Sequence, residues 1–168
     1  MYAALLDAGV GLIVQYGLVV LLVVFALEGA LVGKLIPTRA LFVAVALAVG
    51  SDAVGLLAVV VVAVLGATLG QLALFGVVRY GGVPAEVLPS AVEPDGDGRL
   101  AGWVDRWGLT AVAVTNLLPV TRGSLTVPVA LTDADPLRFS ASSLLGTSLY
   151  AGGLVAVAVG LDVAVGLL

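Results

Sequence analysis

Uncharged apolar runs dominate the chain and set its elements. Ala8–Leu27, Ala53–Val78 and Phe139–Leu161 run for 20, 26 and 23 residues without a charged side chain. A helix of about 20 apolar residues reaches across the hydrocarbon core of a bilayer, so the last two runs predict spanning helices. Two further apolar stretches are interrupted. Residues 8–51 contain Glu28, Lys34, Pro37 and Arg39, and residues 107–131 contain Asn116, Pro119, Arg122 and Pro128. Each interrupted stretch precedes an intact run. Short acidic turns join them, Ser51-Asp52 in the first half and Asp133-Ala134-Asp135-Pro136 in the second.

The interruptions resemble each other. Leu35-Ile36-Pro37-Thr38-Arg39 is followed by apolar Ala40–Leu47, and Leu118-Pro119-Val120-Thr121-Arg122 by Gly123–Leu131. Proline removes a backbone donor and clashes with the preceding turn, so Pro37 and Pro119 are expected to break their helices. The half-helices that follow are too short to cross a membrane at about 1.5 Å per residue. Two re-entrant hairpins fit this pattern, and irregular backbone at that depth must be buried in protein or line a wet cavity. A hairpin crosses zero times and the following helix once, so the second unit begins on the opposite face. The expected fold is an all-α membrane protein in which two re-entrant helical hairpins and two spanning helices form an inverted-topology repeat. It is one domain over residues 1–168, with repeat units at about 17–80 and 107–161 around a polar loop at 81–106. Two Pro-kinked spanning helices remain the alternative, and Ala8–Leu27 is long enough to span by itself.

Composition strengthens the membrane reading. Of 168 residues, 61% are hydrophobic and 11% charged, against about 25% charged in soluble domains; the mean hydropathy is +1.23. Cys and His are absent, which removes thiol catalysis, disulfides, imidazole acid–base work and Cys/His metal sites. No metal or cofactor is expected. No nucleophile–base pair or carboxylate dyad is evident, so the chain reads as a non-enzyme. Met1–Val10 carries Asp7 and no basic residue, unlike the start of a cleaved signal peptide.

Glu28 is the single acid inside an apolar stretch, where a charged group costs about 2.5–3.5 kcal/mol on insertion scales and marks a candidate functional site. Arg122 lies between two short half-helices, and its planar fork of donors matches a phosphate. A salt bridge between Glu28 and Arg122 is the structural alternative for both. Arg39 is the repeat mate of Arg122, with snorkelling toward headgroups as its alternative; Lys34 is expected to snorkel. Asn116 is suited either to bonding a substrate or to capping a broken helix. Glu28 against Lys34, Arg39 and Arg122 leaves a net +2, and buried charge must be matched. The cavity is therefore expected to take an anion. Gly66-Ala67-Thr68-Leu69-Gly70 is a helix-packing signal. Tyr80, Trp103 and Trp107 suit interfacial anchoring, and Arg79, Arg99 and Arg106 carry no nucleic-acid signal.

Taken in order, these motifs resemble the DedA family, whose members share the VTT domain (also called SNARE-associated Golgi protein). The resemblance runs from about Glu28 to Gly160. It rests on Glu28 followed by Pro37, then Val78-Arg79-Tyr80-Gly81, Trp103-Val104-Asp105-Arg106-Trp107-Gly108, the Pro119-Val120-Thr121-Arg122 segment with Pro128-Val129-Ala130, and Leu137-Arg138-Phe139 with Gly146-Thr147-Ser148-Leu149-Tyr150. Three positions depart from the family pattern. Asn116 stands where the first Arg of the Pro-x-x-Arg segment is usual, Arg39 where a second acid is usual, and Gln71 where an Asp is often found. The family is associated with moving polyprenyl-phosphate carriers and phospholipids across the bilayer. In some members, paired carboxylates are associated with proton coupling, and that pairing is missing here.

The resemblance implies a lipid translocase, flippase- or scramblase-like, with an anionic phosphate headgroup as partner and Glu28, Arg39, Asn116 and Arg122 as substrate-contacting residues. A small-solute or ion transporter and a non-transporting assembly protein are the alternatives, and a homo-oligomer is compatible with each. The expected location is the cell membrane, multi-pass. Arg79, Arg99, Arg106 and Arg138 fall on one face under the inverted-repeat reading, which makes the 79–106 loop cytoplasmic by the positive-inside rule. Single Cys substitutions at Gly96 and Gly166 in this cysteine-free chain test the orientation. A membrane-impermeant thiol reagent should label Gly166→Cys in intact cells and spare Gly96→Cys; the reverse pattern overturns the assignment.

Overall fold

The computed structural model describes residues 16–30, 37–49, 52–81, 102, 104, 106–119 and 121–166. Lys34, Trp103, Val120, Arg99, the start of the first apolar run (8–15) and most of the 81–106 loop lie outside them. Among the described residues the helices run in the order α1 (Leu18–Gly29), α2 (Thr38–Val49), α3 (Ala53–Tyr80), α4 (Thr110–Leu117), α5 (Thr126–Ala130) and α6 (Pro136–Gly166). All secondary structure among the described residues is helical.

Local chemistry explains the boundaries. Gly17 has φ +69°, which a right-handed helix cannot contain, so the first apolar run is interrupted there. Pro37 immediately precedes α2, and its carbonyl accepts from the Leu41 N–H at 3.0 Å; its missing N–H is no loss at a helix start. Leu118 is extended (φ −90°, ψ 128°), as steric pressure from a following proline requires, so α4 stops before Pro119. The second half-helix is shorter than the Gly123–Leu131 stretch suggests. Gly123 takes φ +75° within turns at 121–125, and α5 begins at Thr126. The two long helices are capped alike. Asp52 accepts the Gly55 N–H at 2.9 Å and Asp135 accepts the Leu137 N–H at 2.7 Å, so each satisfies donors left over in a first turn.

Only α3 and α6 are long and apolar enough to cross a membrane among the described residues. At 12 residues each, α1 and α2 reach about 18 Å against a hydrocarbon core of about 30 Å. Val54, Leu57, Val61, Leu65 and Leu69 form an exposed row along α3. Its three- and four-residue spacing puts the row on one helix face, where lipid rather than water suits it.

Packing is reciprocal. Helix α1 lies on α3 and α4 on α6, while α2 crosses to α6 and α5 crosses to α3; α3 and α6 also touch each other. The same 83-residue offset relates Thr38 to Thr121, Arg39 to Arg122 and Asp52 to Asp135. Two apolar clusters result. One joins Leu21, Phe25, Phe42, Val59 and Ala63 to Ala151 and Ala158. The other joins Phe75 and Val78 to Val112, Leu125 and Phe139, with the Phe75 and Phe139 rings stacked at 4.7 Å. Early α3 thus meets late α6 and late α3 meets early α6, so the long helices are antiparallel. Buried Thr68 and Gln71 on α3, and Ser143 and Thr147 on α6, fall between the two clusters.

Lipid tails are as apolar as leucine, so helix association in a membrane depends on close van der Waals approach through small residues. A Cβ added at Gly66 or Gly70 would strike the Leu22 or Ala26 carbonyl of α1, and one at Gly146 the Ala113 carbonyl of α4. Gly70→Ala and Gly146→Ala are therefore each expected to destabilise by about 1–3 kcal/mol, as overpacking does. Thermal unfolding in detergent measures this. Gly152→Ala, where the added carbon has nothing within 4 Å, should leave the melting temperature unchanged or higher.

Candidate functional site

Between the two apolar clusters the helices bring together polar groups distant in sequence. Glu28 closes the last turn of α1, and Arg122 sits in the turn between α4 and α5. Arg122 Nη1 lies 3.3 Å from Glu28 Oε1 and 3.5 Å from Oε2, with 9% and 19% of the Arg122 and Glu28 side chains exposed. Removing either partner would leave a largely buried charge unmatched, the expensive way to break such a pair. Arg122 is also held from the other side, its guanidinium carbon 4.6 Å from the centre of the Tyr150 ring on α6. An aromatic face attracts a cation, more strongly where water is excluded.

Arg39, in the first turn of α2, is exposed and donates from Nη2 to the Pro119 carbonyl. That contact links the first Pro-containing break to the second. Arg39, Arg122 and Glu28 are the charged groups around Tyr150. Three of the four residues singled out from sequence thus share one locus, together with the carbonyl of Pro119.

Asn116 is fully buried and engaged within the protein. Gln71 Nε2 donates to Asn116 Oδ1 at 3.1 Å, and Asn116 Nδ2 donates to Gln71 Oε1 at 2.9 Å. Asn116 Oδ1 also accepts the Gly123 N–H at 3.0 Å, and Ser143 Oγ donates to Gln71 Oε1 at 2.6 Å. This network joins α3, α4, α6 and the turn that carries Arg122. Thr121 Oγ1 donates to the Thr115 carbonyl at 3.2 Å, which also accepts the Leu118 N–H where α4 ends. Both polar atoms of the Asn116 side chain are thus bonded within the protein, to Gln71 and to the turn that carries Arg122.

Sequence reasoning passed over Gln71, Ser143 and Tyr150 as site residues, and Arg79 as a structural one. Gln71 interrupts an otherwise apolar run, which is a signal of sorts, but nothing local names its partner. Arg79 Nη1 donates to the Thr132 and Ala134 carbonyls at 2.6 and 2.9 Å. It pins the end of α3 to the turn before α6, and its 3.9 Å approach to fully exposed Asp133 adds little.

Two antiparallel helices long and apolar enough to cross a membrane, with a charged, hydrogen-bonded layer between them, fit a helical membrane protein. The family model of the VTT domain matches residues 36–160, and the chain belongs to that family, the DedA or SNARE-associated Golgi protein group. No curated protein matches the chain, and no solved structure matches it.

A double-mutant cycle tests the amide network. Gln71→Leu and Asn116→Leu should each destabilise by about 1–3 kcal/mol, because each leaves a buried partner unsatisfied. The double variant should lose less than the sum, with a coupling of about 0.5–3 kcal/mol. Chemical denaturation in detergent reads all four corners, and strict additivity would contradict the pairing.

Proposed function

We propose that the chain is a lipid translocase that lets an anionic, phosphate-bearing lipid cross the bilayer through a wet passage between two re-entrant hairpins, its tails remaining in lipid. Flippase- or scramblase-like movement of a polyprenyl phosphate or a phospholipid is the intended activity. One observation carries the reading: Arg122 pairs with the Glu28 carboxylate while Arg39 bonds the Pro119 carbonyl, so one arginine from each Pro-containing break comes to the second break near mid-height of the long helices. Among the described residues Glu28 is the acid that faces Arg39 and Arg122 across Tyr150, which leaves a net +1 that a monoanionic headgroup would balance. Family membership in a membrane-protein group supports the same reading.

The hairpins of this proposal are α1–α2 and α4–α5, each entering and leaving on one face, and the two units form an inverted repeat. The short half-helices, the reciprocal packing, the antiparallel long helices and the 83-residue offset support it. In the working cycle Arg39 and Arg122 receive the phosphate, Glu28 holds Arg122 in position when no headgroup is there, and Asn116 keeps the second break in shape. The 79–106 loop faces the cytoplasm.

Reconstitution into liposomes with a labelled phosphatidylglycerol tests the proposal. A hydrogen bond to a charged group contributes about 1.5–3 kcal/mol, so Arg122→Ala should slow lipid movement on the order of tenfold to a hundredfold. Arg122→Lys should recover part of the rate, since an ammonium lacks the planar fork. Glu28→Gln should also slow it. A folded Arg122→Ala protein that moves the lipid at the wild-type rate sinks the proposal, as does flux of small ions or solutes in place of lipid.

A further inference from the structure

Tyr150 is out of place in an inert helix contact. The residue is 8% exposed; its hydroxyl lies beside the Arg39 guanidinium, yet no partner among the described residues meets it at hydrogen-bond distance and angle. A buried tyrosine ordinarily finds one, and phenylalanine would fill the same space without an unsatisfied polar atom. The ring already has a task, since it backs the Arg122 guanidinium at 4.6 Å. The hydroxyl does not. It faces a cluster containing Arg39, Arg122 and Glu28, and the Glu28 carboxylate that it might have served is turned to Arg122 instead.

The groups that surround this hydroxyl are mostly donors. A phenol can accept from a guanidinium through its oxygen while its own hydrogen remains to be given away. The Glu28 carboxylate and the Pro119 carbonyl already accept from Arg122 and Arg39, so what the Tyr150 hydroxyl lacks is an acceptor of its own, and a tetrahedral oxyanion supplies several pointing in different directions. We propose that the Tyr150 hydroxyl is a third donor of the anion site, joining Arg39 and Arg122 on the non-ester oxygens of a phosphate. The phosphate is taken as a lipid headgroup on the strength of the function proposed above, but the same donors suit free inorganic phosphate. Tyr150 would then do two things: its ring sets the plane of Arg122, and its hydroxyl binds the ligand.

Tyr150→Phe separates these roles, because it keeps the ring and removes the donor. In phosphatidylcholine vesicles doped with tail-labelled phosphatidylglycerol, Tyr150→Phe should slow lipid movement about tenfold, the scale of one bond to a charged group. Its melting temperature should stay the same or rise. Tyr150→Leu, which also uncovers Arg122, should be slower still. A Tyr150→Phe rate equal to wild type, with Arg122→Ala slowed, overturns the inference and leaves the lipid reading standing. If wild-type protein instead releases entrapped inorganic phosphate and Tyr150→Phe slows that release, the third donor stands and the lipid source falls. Should Tyr150→Phe not fold, a chain carrying Phe at positions 2, 16 and 80 keeps Tyr150 as its sole tyrosine. Labelled with 3-fluorotyrosine, it should show a fluorine shift on adding inorganic phosphate or dihexanoyl-phosphatidylglycerol. A signal unmoved by both overturns the inference.

Discussion

Charge and amide groups buried between two apolar helices have little water to fall back on, and the arrangement of the described helices follows from satisfying most of them internally. Glu28 and Arg122 are 94 residues apart in sequence yet meet at 3.3 Å, and they can do so only if α1 and the α4–α5 turn both reach the same depth. That requirement explains why the helices around them are short and broken. An unbroken span would carry each charge past its partner and cover the carbonyls and N–H groups that the breaks expose.

The apolar clusters on either side make this polar layer tolerable. Close glycine contacts bring α1 onto α3 and α4 onto α6, and the Phe75–Phe139 stack closes one end. Rigid packing above and below limits how far the middle can relax. The Arg39 bond to the Pro119 carbonyl then ties the two breaks together, so a ligand that draws Arg39 away would loosen one break from the other.

Much of this was readable from residue types alone. The last two uncharged runs correspond to α3 and α6 because length and composition suffice for a spanning helix, whereas the first is interrupted at Gly17. Pro37 and Pro119 fall at helix boundaries because a missing N–H and a steric clash act locally. Glu28 and Arg122 stood out as ionisable groups in apolar surroundings. Other features had no local trace. Nothing in the sequence near Gln71 says that it meets Asn116 and Ser143, since one polar residue in an apolar helix does not reveal which neighbour it faces. The extent of α5 was also hidden, because the left-handed φ of Gly123 depends on an N–H drawn to Asn116 from seven residues away. Tyr150 figured in the sequence only as the end of the Gly146–Tyr150 motif, and nothing local says that its ring backs a guanidinium.

The Gln71–Asn116 pair has a consequence for how such a chain can change over generations. Its two reciprocal bonds suit a pair of amides, and a carboxylate and a guanidinium in the same two places would suit each other equally well. A single replacement does neither. An acid opposite Asn116, or an Arg opposite Gln71, would strand a charge in the driest part of the protein, so the intermediate is penalised whichever position changes first. The two positions are therefore tied energetically as well as in space: a change from the neutral pair to the charged pair passes through a penalised intermediate unless both residues change together.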